Sequence, residues 1–220
     1  FGISDAAVSA QGLVFDVTTD SRKDGKVALD GSYGLSGEKS EALALSGSWL
    51  SGQFSSPVIP QLLRLIGDGK QADQYLSYDP DGRFNASFKY DTLPGRLETD
   101  YSLLIEPINI GLTIQDVRVV ATLDPESSLV LSPGRFGITK LSGALMEGRF
   151  EAIGDVEFGE DLLLQMAFDY DGPLSRSLMT TLLPAEARDA IDAISFKEHG
   201  ISSLANCTLR IQQAKDGPRH

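Results

Sequence analysis

The chain has 220 residues, with 19 Lys and Arg against 31 Asp and Glu, for a formal charge of −12. No basic cluster stands out against that balance, which excludes a nucleic-acid partner and adsorption to anionic lipid through a polybasic face. A hydrophobic content of 41% excludes wholesale disorder and suffices for one large domain or two small ones.

The first residue is Phe1, so the chain is expected to be processed or cut from something longer. Asp24-Gly25 reads as a turn, and Val27, Leu29 and then Ala42 to Leu45 read as strands. Trp49 is expected to end a strand and pack in the core. Val58, Ile59, Leu62, Leu63, Leu65 and Ile66 recur at helical spacing, and Gly67 and Gly69 stop that helix. After the Asp79-Pro80-Asp81-Gly82 turn, Phe84, Ala86, Phe88 and Tyr90 alternate with polar residues, which places them on one face of a strand.

Period two continues after Pro94-Gly95. Tyr101, Leu103 and Ile105 form one alternating run, and Ile108, Ile110, Leu112 and Ile114 form another. Pro133-Gly134 marks the next turn. Leu162, Leu164, Met166, Phe168 and Tyr170 alternate up to a turn at Asp171-Gly172. Leu174 to Leu183 is rich in apolar residues. Pro184 then opens a second amphipathic helix, with Ala187, Ala190, Ile191 and Ile194 on one stripe. No apolar run approaches the roughly 18–20 residues that span a bilayer.

Four blocks recur in the same order. Gly25-Lys26-Val27-Ala28-Leu29-Asp30-Gly31 answers Gly148-Arg149-Phe150-Glu151-Ala152-Ile153-Gly154, and Glu41 to Leu45 answers Asp161 to Gln165. Leu62-Leu63 answers Leu182-Leu183, and Asn85 to Tyr90 answers Asn206 to Ile211. The expectation is one domain, 1–220, made of two strand–strand–helix–strand repeats near 6–92 and 129–213, joined by extra strands in 96–124. A single continuous sheet is preferred to two lobes, because 96–124 carries few linker signals.

Catalytic chemistry is not legible. His199 and His220 are the only histidines, one in an expected surface turn and one at the end of the chain, and no nucleophile elbow is present. Gly67-Asp68-Gly69 imitates a dinucleotide fingerprint but follows a helix instead of a strand. Asp79 and Asp81 could begin a calcium loop, but Arg83 takes the next ligand position and no glutamate closes it. Asn85-Ala86-Ser87 and Asn206-Cys207-Thr208 match glycosylation sequons and read as outward positions of a shared strand. Cys207, the sole cysteine, reads as a small strand hydrophobe. No catalytic residue, metal ligand or cofactor is assigned.

The repeated Gly-x-φ-x-φ-x-Gly strand (φ apolar), the Leu182-Leu183-Pro184 phrase and the Asp81-Gly82-Arg83-Phe84 phrase resemble the repeats of large AsmA-like bacterial envelope proteins. The resemblance covers about 85 residues in each copy and implies an antiparallel, mainly β fold with two short helical segments, strongly curved like a taco. It further implies a membrane-anchored parent, a periplasmic location in the cell envelope, and phospholipid as the partner whose acyl chains lie on the apolar face. The candidate lipid-facing or core set is Phe84, Phe88, Tyr101, Leu103, Ile108, Ile110, Leu112, Leu164, Met166 and Phe168. The competing expectation is an extracellular or periplasmic adhesion or scaffold module that acts as a rigid spacer.

Overall fold

A computed structural model describes residues 2–3, 7–19, 22–35, 42–66, 69–92, 100–114, 116–158, 161–174 and 201–214. The alternating runs become strands of one antiparallel sheet. β1 (Gly2–Ile3), β2 (Ala7–Thr19), β3 (Arg22–Gly34), β4 (Leu43–Gln53), β5 (Asp81–Asp91) and β6 (Asp100–Ile114) lie side by side in chain order. β7 (Val117–Leu123) and β8 (Ser128–Ser132) come next, followed by β9 (Arg135–Leu145), β10 (Gly148–Phe158), β11 (Asp161–Leu174) and β12 (Ile201–Ala214). Two short helices, α1 (Val58–Ile66) and α2 (Lys70–Ser77), fill the connection between β4 and β5. The preference for one sheet agrees with this pairing.

β7 and β8 share a single strand position. The later part of β6 pairs with β7 (Ile110 opposite Ala121), and its earlier part pairs with β8 (Leu103 opposite Leu131). β9 does the same in reverse, with Leu145 opposite Ala121 and Phe136 opposite Leu131. Residues 124–127 interrupt this strand in the middle of the sheet. The Pro133-Gly134 turn falls where the sequence puts it, between β8 and β9.

Two bulges keep the apolar pattern in phase. Phe84 faces Pro107 and Arg83 faces Asn109, so Ile108 is an extra residue in β6. Proline has no N–H to give the ladder, and a bulge is a place where sheets tolerate it. The extra residue reverses the parity, so Tyr101, Leu103 and Ile105 fall on the same face as Ile110, Leu112 and Ile114. The two runs read from the sequence are therefore one strand of 15 residues. In β9, Ile138 faces Leu129 and Gly154, but Leu141 faces Ala152, so Thr139 and Lys140 together oppose Ile153.

Several expectations are corrected. Asp24-Gly25 and Asp171-Gly172 are not turns but lie within β3 and β11. Gly25 has φ 109° and sits against the backbone carbonyls of Leu50 and Ser51, where no Cβ fits. Trp49 does not end its strand, because β4 runs on to Gln53. The segment around Gly69 does lead into a helix, since Gly69 (φ 84°) stands before α2. The expected second helix at 184–194, His199, His220 and Pro94-Gly95 lie outside the described residues.

The densest packing is at one end of the strands. Trp49, Phe54, Phe84 and Ala86 form a buried cluster, with Val17, Val27, Val58, Ile59, Leu103, Ile105 and Ile110 against it. Phe84 meets Trp49 edge-on at 5.3 Å between ring centres and Phe54 at 4.7 Å. Each such aromatic pair contributes about 0.5–1.5 kcal/mol beyond the area it buries. The Trp49 indole N–H donates to the Asp24 carbonyl at 2.9 Å, and the Tyr75 hydroxyl donates to the Phe54 carbonyl, which ties α2 to this end of the sheet.

Candidate functional site

The strand registers align the apolar residues into rows that cross the sheet. One row begins Leu13, Leu29, Gly47, Phe88, Leu103, each directly opposite the next. It continues through Leu131, Phe136, Val156 and Leu164 to position 211 of β12. The neighbouring row runs Phe15, Val27, Trp49, Ala86, Ile105, then Leu129, Ile138, Gly154, Met166 and position 209. With about 4.8 Å between strands, each row is about 43 Å long. Every position in both rows is apolar or glycine.

Most of this face has no second layer among the described residues. α1 and α2 cover it only near Trp49 and Phe84, where Val58 and Ile59 pack. Phe88, Leu103, Leu129, Leu131, Phe136, Ile138, Val156, Leu164, Met166 and Phe168 are all only partly buried. The chain exposes 14550 Å² of accessible surface. A compact monomer of 23.7 kDa would expose about 9,800 Å².

Nine of the ten candidate residues share this face, either in the two rows or beside them. Phe84 is the exception in depth, being buried in the aromatic cluster, so it is core and not surface. Tyr101 stands opposite Tyr90 at the far end of the strands, and Leu112 stands opposite Val119. Ile108 departs from the pattern: it is the bulge residue and is 38% exposed.

Leu129 and Leu131 belong to the rows but give no alternating signal in the sequence. Val130 between them is also apolar, and it lines a depression on the opposite face. That depression, about 530 Å³, is lined by Asp30, Ser46, Ser48, Ser87, Lys89 and Ser102 together with the apolar Ala28, Leu104 and Val130. The opposite face is mixed, with these serines and charges beside exposed Val14, Leu50, Val120 and Ile153.

The polar groups singled out in the sequence make structural contacts. Asp79 and Asp81 both pair with Arg118, whose guanidinium also donates to the Asp79 carbonyl at 2.6 Å. Among the described residues no three His, Cys, Asp or Glu side chains group so as to hold a metal ion. The Asn85 side chain accepts from the Ser51 backbone N–H at 3.0 Å. Asp169 accepts from the Asn206 N–H at 2.5 Å, and Cys207 is partly buried opposite Phe168. Among the described residues no helix is long and apolar enough to cross a membrane.

No protein-family model matches this chain, and comparison with curated proteins and with solved structures finds no similar protein.

Proposed function

We propose that the chain is a non-catalytic sheet segment whose apolar face holds the acyl chains of phospholipid, as part of a cell-envelope protein. The observation that carries this reading is the pair of uninterrupted apolar rows, about 43 Å long and, among the described residues, covered by helices only near Trp49 and Phe84. A contiguous, partly exposed apolar surface marks an interaction site, and its chemistry suits a hydrocarbon ligand. The rows run across the strands, so an extended acyl chain meets the same chemistry along its whole length. The taco-like curvature belongs to this proposal, since a trough would desolvate the chains on more than one side.

The two-repeat organisation is part of the same reading. Val27 and Phe150 occupy matched places in the first pair of sequence blocks, and each faces an aromatic residue of the next strand, Trp49 and Tyr170. Gly25 and Gly148 precede them, and each is tucked where a Cβ would meet the facing strand. The Trp49 indole donates to the Asp24 carbonyl, and the Tyr170 hydroxyl stands 3.4 Å from the Leu145 carbonyl. Glycine at matched positions with an aromatic ring on the facing strand supports a duplicated unit.

Photocrosslinking tests the reading. A photoreactive residue at Leu131, in a row, is expected to label acyl lipid. The same residue at Ser87, on the opposite face, is expected to label none. Equal labelling at both positions, or none at Leu131, would count against a lipid-holding face.

A further inference from the structure

The sheet has two open borders that fit each other. On β2, β1 covers only Val8 and Ser9, so the strand from Leu13 onward has no outer neighbour among the described residues. That stretch, Leu13-Val14-Phe15, is apolar on both faces, with Val14 63% and Phe15 49% exposed. Strands with such runs are normally buried between neighbours, and a bare one is a template for pairing. At the other border, β12 pairs with β11 and with no other described strand.

Strand direction alternates at every step from β2 to β12, so β12 runs opposite to β2. A copy displaced along the sheet without rotation would bring its β2 beside β12 as an antiparallel neighbour, with the apolar faces on the same side. One register then continues both rows: position 211 opposite Leu13 of the next copy, and position 209 opposite Phe15. In that register Arg210 stands opposite Val14 and diagonal to Asp16, so its stem covers an exposed apolar side chain while its charge nears a carboxylate. The register also ends β12, at Ala214, opposite Ala10, next to the segment that β1 already covers.

We propose that β12 of one chain pairs with β2 of a second copy, joining their apolar faces into one longer surface. The contact is head-to-tail and does not close, so it builds linear assemblies. It stands or falls independently of what the face binds.

Cysteine pairing tests it. In a Cys207→Ser background, Val14→Cys with Arg210→Cys places the two thiols on adjacent strands of neighbouring copies. Within one chain they lie on strands at opposite borders of the sheet, nine steps apart, so a disulfide must join copies. Oxidation is expected to give a ladder of disulfide-linked multimers. Val14→Cys with Ser203→Cys, out of register by about 23 Å, is expected to give none. Both residues replaced are exposed, and a melting curve matching that of the Cys207→Ser parent confirms the fold. Sedimentation of the unmodified chain is expected to show association that rises with concentration and falls for Val14→Lys. No ladder from the in-register pair, equal ladders from both pairs, or a monomer at every concentration would overturn the proposal.

Discussion

The Ser127 side chain completes a break in the sheet by bonding both backbone groups of Ser142. Its Oγ donates to the Ser142 carbonyl at 3.0 Å and accepts from the Ser142 N–H at 3.1 Å. Both residues are buried, in the place where β7 has ended and β8 has not begun. Asp124 reinforces the join: its N–H donates to the same carbonyl at 2.8 Å, while its carboxylate accepts from Ser142 Oγ and from Arg149. One hydroxyl therefore supplies what a strand backbone would supply.

Ser127→Ala should leave the Ser142 N–H buried without that partner. The expected cost is about 1–3 kcal/mol, the penalty for an unsatisfied buried donor. Urea unfolding would read it as a lower midpoint with unchanged slope. The nearby Glu126–Lys140 pair, 3.1 Å apart, makes the contrast. The lysine holds the Glu126 carboxyl below its ordinary value, chiefly by hydrogen bonding, but both groups are solvent-exposed. Lys140→Gln should leave the midpoint where it was.

The bulge at Ile108 gives a second prediction. Deleting Ile108 should turn β6 into a regular strand with the same partners, keeping Ile110, Leu112 and Ile114 on the apolar face, so the domain should stay folded with a modest change in midpoint. Inserting an alanine after Ile108 should instead turn those three side chains to the opposite face, where each forfeits up to about 1.5–3 kcal/mol. Ile108→Ser keeps the chain length and changes a residue that is already 38% exposed, so it should be mild. Circular dichroism melts of the three variants would separate register from hydrophobicity.

Alkaline pH should loosen the helical pair before the rest of the sheet. Burial raises the Tyr75 phenol well above its ordinary ionisation near 10. The unfolded chain ionises first, so the stability held by neutral Tyr75 is full below about pH 10 and declines as pH rises toward the folded value. Tyr75→Phe should remove that decline. It should also lose the hydrogen bond to Phe54, costing about 0.5–1.5 kcal/mol at neutral pH. Stability measured across pH 8 to 11 for both proteins would check the sign.

The strands were legible because one face is apolar and one is polar, as in Phe84 to Tyr90 and Leu162 to Tyr170. Where both faces are apolar, as at Leu129-Val130-Leu131, alternation disappears and with it the signal. That strand, expected at the start of the second repeat, lies between β6 and β9. Gly25 and Gly172 misled because a glycine needed for close backbone approach inside a strand looks the same in sequence as one needed for a turn. α2 was missed because only Ala72, Tyr75 and Leu76 mark its apolar side, too few to show a period. The bulge at Ile108 has a local clue in Pro107, but its effect depends on which residue of β5 stands opposite.

The most direct test of the central claim is the acyl-lipid content of the chain purified without detergent, read by mass spectrometry of an organic extract. Leu164→Asp and Leu131→Asp serve as comparisons, with a protein of unrelated fold as control. The account predicts phospholipid in near-stoichiometric amount from the unmodified chain. It predicts much less from the two variants, whose melting should change little because their sites are only partly buried. An extract no richer in lipid than the control would contradict the account and leave a rigid spacer as the better reading.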